Sequence, residues 1–232
     1  MVRPIKKKQI PNLGEQIKAT AWKQIAELGA PALSLRAIAR ELTISAPAIY
    51  NYFPTRDALV TALIIDAYTS FGDSQLDARD AVPMEDSKGR LHAIGMAYRN
   101  WALTYPQRYQ LIFGTPIPGY EAPMTEVLPS AARSWSALVS VVEQLRVSGK
   151  LNAASFPEVQ EEYKYGFEAW KTFGGEADLL ALSVAMIIWS RVHGIVSLEI
   201  AGNLPPFGTS GNDLYLYEME SIAKQFIKGY QQ

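Results

Sequence analysis

Apolar residues in this chain recur three and four positions apart in segment after segment, while alternating β-branched runs are few and no Asn-Gly or Asp-Gly hairpin turn occurs. That spacing matches the turn of an α-helix and not the two-residue repeat of a strand, so the expected fold is all-α, built from helices packing on helices. A first helix is predicted over Leu13–Leu28, with Ile17, Ala21, Ile25 and Leu28 on one face and Gly29 ending it. Ser34 is placed to cap a short helix that ends near Leu42. Ser45 is placed to cap another, with Pro47 in its first turn, where a missing N–H is tolerated. Phe53-Pro54 stops that helix, because the residue before a proline avoids helical backbone. Thr55 then caps a longer helix whose first turn holds Asp57, at the positive end of the helix dipole. Further helices are expected over 87–104, 106–113, 123–148, 157–173, 176–202 and 213–229, with loops at 114–122 and 203–212.

Of the 232 residues, 48% are hydrophobic and 19% charged, enough to bury a sizeable core and unlike a disordered chain. There is no cysteine. Disulfides, thiol nucleophiles and thiolate metal sites are thereby excluded, and a reducing, cytoplasmic location is expected. The leading MVRPIKKKQIP has no apolar stretch behind it and does not read as a secretory leader. The most apolar segment, 179–204, is interrupted by Arg191, His193 and Glu199, so no membrane partner is expected. A net charge of −1 hides an asymmetry: residues 1–56 hold nine Lys/Arg against three acids, net +6, and the rest holds 13 against 20, net −7. A basic head on an acidic body fits a polyanion held at one end, or, for the lysine tail alone, a merely solvated segment.

The most informative stretch is SLRAIARELTISAPAIYNYF, from Ser34 to Phe53. Two short helices joined by about three residues pack tightly only where the crossing is small and the flanks apolar. Ala39 supplies the small residue, and Ile38, Leu42, Ile44 and Ile49 the apolar contacts. Ala46, Pro47, Ala48, Tyr50 and Asn51 are left on the outward face of the second helix. A small, polar, uncharged face suits entry into a major groove.

The pattern Ala-Ile-Ala-x-x-Leu, then Ser-x-x-x-Ile-Tyr-x-Tyr-Phe, then Thr-Arg-x-x-Leu resembles the DNA-binding domain of the TetR family of regulators. The resemblance implies an N-terminal three-helix helix-turn-helix domain over 12–71 and a larger helical bundle over 72–232 for effector binding and dimerisation. It departs from the family at Thr43, where helix-turn-helix proteins usually carry a left-handed glycine. It places Ser45, Pro47, Ala48, Tyr50 and Asn51 toward DNA, and Tyr52 on phosphate or packed beneath. Ser34 and Arg36, and again Thr55 and Arg56, stand at helix starts that can hold phosphate. Lys6, Lys7 and Lys8 form an arm that follows the backbone or enters a minor groove. Few direct base readers are visible, so part of the specificity is expected from DNA shape.

A second resemblance covers the body. Tyr98-Arg-Asn-Trp101-Ala, the run from Pro106 to Pro123 and Trp189-Ser-Arg-Val-His193-Gly194 are similar to a TetR subgroup whose C-terminal domain carries a Trp–His–Gly signature. Within the body, Trp101 and Tyr105, and Tyr109 and Phe113, each share a helix face, and Trp135, Tyr163, Phe167 and Trp170 add aromatic surface. Ordinary core explains any one of these. Together, Tyr98, Trp101, Tyr105, Tyr109, Phe113, Trp135, Phe167, Trp170, Trp189 and His193 are the candidate pocket for a small apolar or aromatic effector. With two histidines in the chain, neither a metal nor any other cofactor is expected. The segment 179–198 suits a central core helix or, with 214–227, a four-helix dimer interface.

The expected function is a homodimeric DNA-binding transcriptional repressor that a small-molecule effector releases from its operator. Two other classes remain open. A helical enzyme has only Ser221-Ile-Ala-Lys224 in its favour, a spacing without its companion motifs. An architectural DNA-binding protein would keep the head without repressing.

Overall fold

The computed structural model describes residues 11–154, 156–159, 161–204 and 211–230. The chain forms α1 (Leu13–Leu28), a 3₁₀ turn (Ala30–Ala32), α2 (Leu35–Glu41), α3 (Ala46–Tyr50) and α4 (Arg56–Asp80). There follow α5 (Ser87–Thr104), α6 (Pro106–Phe113), α7 (Met124–Val147), α8 (Glu161–Gly174), α9 (Leu179–Ile200) and α10 (Gly211–Phe226). Among the described residues there is no strand, only an isolated antiparallel bridge between Leu151 and Ile227.

The ends of the helices follow their capping chemistry. Ser34 Oγ accepts from Ala37 N–H at 3.3 Å and Thr55 Oγ1 from Ala58 N–H at 3.0 Å, as the sequence leads one to expect, whereas Ser45 makes no side-chain cap bond. α9 begins three residues later than its apolar pattern, at Leu179, because Asp178 Oδ1 accepts from Leu180 N–H at 2.9 Å and sets the start. α10 stops at Phe226, short of Gly229. There Phe226 C=O accepts from Asn152 N–H and Lys228 N–H donates to Lys150 C=O, both at 2.8 Å, drawing the chain into pairing with the loop after α7. Leu28, placed by periodicity on the buried face of α1, is 66% exposed, since periodicity marks a face and burial also needs an element opposite.

Two apolar clusters result. The head cluster holds Ile17, Ala21, Ile38, Ile49, Leu59 and Leu63, and it takes in Ile117 and Val127 from the body. The body cluster is built around α4 and α7. These cross so closely that a Cβ on Gly72 would lie 2.9 Å from Ser134 Cα, which is why glycine stands there. α5, α9 and α10 pack on one another beside this pair, and α8 lies against α7 and α9. A two-pronged ion pair fixes their register: Arg99 Nε and Nη2 donate to Glu199 at 2.8 and 2.6 Å, and Nη1 reaches Asn212 Oδ1 at 3.1 Å. α9 is long and apolar enough to cross a membrane by composition, but Ala181, Leu182, Val184, Ala185, Ile188, Val192 and Val196 bury one side of it in the protein core.

Head and body share α4, 25 residues long, whose Leu59 and Leu63 belong to the head core and whose Ala67 and Phe71 belong to the body core. The seam is stitched elsewhere too. Tyr120 and Thr61 hydroxyls lie 2.9 Å apart, and the Arg108 guanidinium sits 5.1 Å from the Trp22 ring centre and 4.7 Å from that of Tyr105.

Candidate functional site: a helix-turn-helix head and a body cavity

In the head, α2 packs on α3, with Ala39 buried and Ile38 and Ile49 fully buried. The turn between them puts Thr43 at φ 55°, a left-handed conformation. A β-branched residue there is strained, yet Ile44 N–H still closes on Ala39 C=O at 2.9 Å. α3 therefore presents Ser45, Ala46, Pro47, Tyr50 and Asn51 to solvent, with Ala48 half-buried and Tyr50 41% exposed. The Tyr52 ring lies against the start of α1, where a Cβ on Gly14 would be 3.3 Å from its Cδ1, and leaves 51% of the residue exposed. Phe53 packs on the head core.

The cations divide into two groups. Lys18 pairs with Glu15 and Asp66, and Lys23 with Glu41. Arg56 donates from Nε to Leu33 C=O and from Nη2 to the carbonyls of Ala30 and Pro31, at 3.1–3.2 Å, so it binds the 3₁₀ turn to the start of α4. Its Nη1 lies 3.5 Å from Asp57 Oδ1. Arg36 and Arg40 are exposed and make no hydrogen bond or ion pair among the described residues. Arg40 was not singled out by the sequence reading, although its place in the last turn of α2 beside Arg36 was visible there. Lys6, Lys7 and Lys8 lie outside the described residues.

In the body, α4, α6, α7, α8 and α9 line a partly open cavity of about 700 Å³. Of the sequence candidates, Phe113, Trp135, Phe167, Trp170 and Trp189 line it. Tyr68 and Phe71 of α4, Leu128 of α7, and Phe173 and Met186 complete much of the wall without a signal in local sequence. Trp135 and Trp170 meet edge to face, centroids 5.3 Å apart.

The remaining candidates sit behind this wall. Tyr98, Tyr109, His193 and Ser197 form a hydrogen-bonded cluster: both phenol oxygens lie 2.9 Å from His193 Nδ1, and Tyr109 and Ser197 hydroxyls are 3.0 Å apart. Burial raises the pKa of both tyrosines and lowers that of His193. The phenols therefore keep their protons, and the imidazole is neutral and can accept one. The His193 ring stacks on Trp189 of the cavity wall at 4.6 Å. Tyr109 and Ser197 in turn border a cleft of about 540 Å³ at the seam, which Ile25, Gly29 and Pro31 of the head close. Trp101 is core, its Nε1 donating to Ser70 Oγ at 3.0 Å, and Tyr105 is 39% exposed at the seam. Tyr163, Lys6, Lys7 and Lys8 apart, each named side chain thus has a place. No cluster of metal-ligating side chains occurs among the described residues.

Comparison with known proteins decides the family. Residues 17–63 match the family of bacterial regulatory proteins, tetR family, and residues 91–222 match the tetracyclin repressor-like C-terminal domain. The chain belongs to the TetR family. Over 192 residues it is 33% identical to the HTH-type transcriptional regulators Rv1816 of Mycobacterium tuberculosis and Mb1846 of Mycobacterium bovis, covering 81% of this chain and 82% of each relative. Among solved structures, the regulatory protein SCO4313 is 36% identical with a TM-score of 0.73, covering 91% of this chain and 95% of that one. The TetR-family regulator PfmR of Thermus thermophilus shares the fold at 16% identity and a TM-score of 0.58, over 94% of this chain and all of that one. This TetR-family protein is accordingly a helix-turn-helix transcriptional regulator, with its DNA-binding head at the N-terminus.

Proposed function

We propose that this TetR-family protein is a homodimeric repressor, working in the cytoplasm, that leaves operator DNA when a small apolar or aromatic molecule fills the body cavity. The observation that carries the reading is the continuity of α4: Tyr68 and Phe71 stand on the cavity wall, and three turns earlier Leu59 belongs to the core that seats α3. An occupant that displaces the Phe71 end moves the head with it. A parallel route runs from Trp189 through the His193 cluster to Tyr109 and the seam cleft. Two recognition helices must fit half-sites about 34 Å or a multiple apart, so a small rotation of each head suffices. A coupling of about 1–3 kcal/mol gives useful induction.

In this reading 12–71 is the DNA-binding unit and 72–232 the effector and dimer unit. Tyr50 and Asn51 read base edges, with Ser45, Pro47 and Ala48 against the groove. Ser34, Arg36, Thr55, Tyr52 and the arm Lys6–Lys8 lie toward phosphate, Arg56 adding at most its Nη1. The exposed apolar residues Ile187 and Leu198, three turns apart on one face of α9, are the surface for a second copy, with α10 beside them. We read Trp189, His193 and Gly194 as the signature of the Trp–His–Gly subgroup, a reading their spacing supports.

In-vitro selection of duplexes on the purified protein tests this. The expected product is a palindrome bound by two chains, with weakened affinity in Gly166→Trp, which fills the cavity from a position where a Cβ meets nothing within 4 Å. Salt-dependent binding without sequence preference would instead identify an architectural protein.

A further inference from the structure

Resting on the reading of the body cavity as the effector site, we infer that its ligand is a neutral aromatic molecule bearing a hydrogen-bond-accepting oxygen, a ketone, quinone or lactone, with the indole N–H groups of Trp135 and Trp170 as its donors. Two features of the wall lead there.

The first is charge. None of the described residues lining the cavity is ionisable at neutral pH, and the surface they give it is dominated by Phe, Trp, Met, Leu and Ala. A carboxylate or phosphate entering it would lose its water and meet no cation, which is the costliest way to bury a ligand. An ammonium would gain from the aromatic faces but would leave the indole N–H groups of Trp135 and Trp170 without an acceptor.

The second is a surplus of donors. Tyr68 O–H already donates to Ile112 C=O at 3.3 Å and Ser134 O–H to Ala131 C=O at 2.7 Å. Trp135 Nε1 and Trp170 Nε1, by contrast, are buried and have no hydrogen-bond partner. Buried unpaired N–H groups are rare because each keeps the full loss of its water. The edge-to-face arrangement, with planes 89° apart, can turn one indole N–H toward the other ring but not both, and such a contact is weak. Water does not satisfy them either, since the atoms are shielded from it. Shielded as they are, these N–H groups meet a ligand only when it parts the pair by a small ring rotation, and it then gains one or two hydrogen bonds. The seat of Trp170 is itself specific: a Cβ on Gly174 would fall 2.1 Å from Trp170 Cζ2, so the ring lies where it does only because residue 174 is glycine. Phe71, Phe113, Phe167 and Trp189 supply flat faces for a planar frame.

The test titrates the full-length protein with four probes of one tricyclic frame: fluorene, 9-fluorenone, fluorenone-4-carboxylate and protonated 9-aminofluorene. Fluorenone is expected to bind about tenfold more tightly than fluorene, the worth of a neutral hydrogen bond or two, and more tightly than either charged probe. Trp135→Phe and Trp170→Phe, which keep an aromatic ring and delete the N–H, should each weaken fluorenone severalfold and leave fluorene unchanged. In a ¹⁵N spectrum the indole N–H signals lost in those variants should be the ones that fluorenone shifts and fluorene does not. Equal affinity for fluorene and fluorenone, parallel loss of both in the variants, or preference for a charged probe overturns the inference. If fluorene and fluorenone bind alike and both release operator DNA, the effector reading stands and the acceptor falls alone. If none of the four binds, the cavity reading falls with it.

Discussion

Head and body of this protein carry their working surfaces in opposite ways. The head presents outward a face drawn from one continuous stretch, Ser45 to Tyr52, with Tyr50 and Tyr52 exposed. The body turns Phe71, Phe113, Trp135, Phe167, Trp170 and Trp189 inward, though Tyr165 and Tyr217 stay exposed, and assembles its cavity from five helices, α4, α6, α7, α8 and α9. A surface that must meet a regular polymer can be encoded locally, because the partner supplies the long-range order. A pocket for a small molecule has to enclose it, and enclosure needs walls from several directions.

If the contrast holds, damage to the head should leave the body intact. Ile49→Ala removes a fully buried side chain that seats α3. It should cost about 2–5 kcal/mol in the head core and abolish specific DNA binding, while fluorescence of the body tryptophans is retained. Coincident loss of both signals in denaturant would mean that the two regions are one cooperative unit. On the exposed face, Tyr50→Ala should weaken the selected duplex by about 1–3 kcal/mol, up to roughly a hundredfold, far more than random DNA. Arg36→Ala should weaken both duplexes alike and reduce the salt slope by about 1. Equal losses for the tyrosine change would remove it from base reading.

In the body, Gly72→Ala drives a methyl into the Ser134 backbone. It should destabilise by about 1–3 kcal/mol, with DNA affinity of the remaining folded protein unchanged; a stability equal to wild type would show that α4 and α7 are free to separate. A smaller change of opposite sign is expected in the head turn. Thr43→Gly relieves a φ of 55° and should raise thermal stability by the equivalent of about 1 kcal/mol. The smallest effect concerns His193, whose pKa burial lowers. A group with a depressed pKa takes up a proton on unfolding, so its contribution fades as pH falls through the ordinary histidine range, near 6.5. The melting-temperature advantage of wild type over His193→Asn should therefore shrink between pH 7.5 and 5.5, and a constant difference would place the imidazole in water.

Legibility followed the same division. Ser34 and Thr55 were readable as caps because a cap involves a side chain and a backbone N–H three residues away, and the structure shows both bonds. The packing of α2 on α3, with Ala39 buried, was readable because the residues involved lie close together in sequence. Arg56 read as a phosphate cation, yet what occupies it is the trio of carbonyls at Ala30, Pro31 and Leu33, some 23 to 26 residues upstream. Tyr98, Trp101 and Tyr109 carry the same aromatic signature as Trp135 and Trp170. Only the latter reach the cavity, and Tyr68 and Phe71, which do line it, look in sequence like any core positions of a long helix.

What the amino-acid order settled unaided is therefore the helical class, most helix ends and the helix-turn-helix itself. Each depends on interactions within about four residues, where chain geometry leaves one arrangement open. Which aromatics bound empty space, which cations remain unpaired and which two indoles lack an acceptor were decided by the tertiary structure. Those properties belong to whatever stands opposite a side chain, and five helices crossing in space choose that neighbour, not the spacing along any one of them.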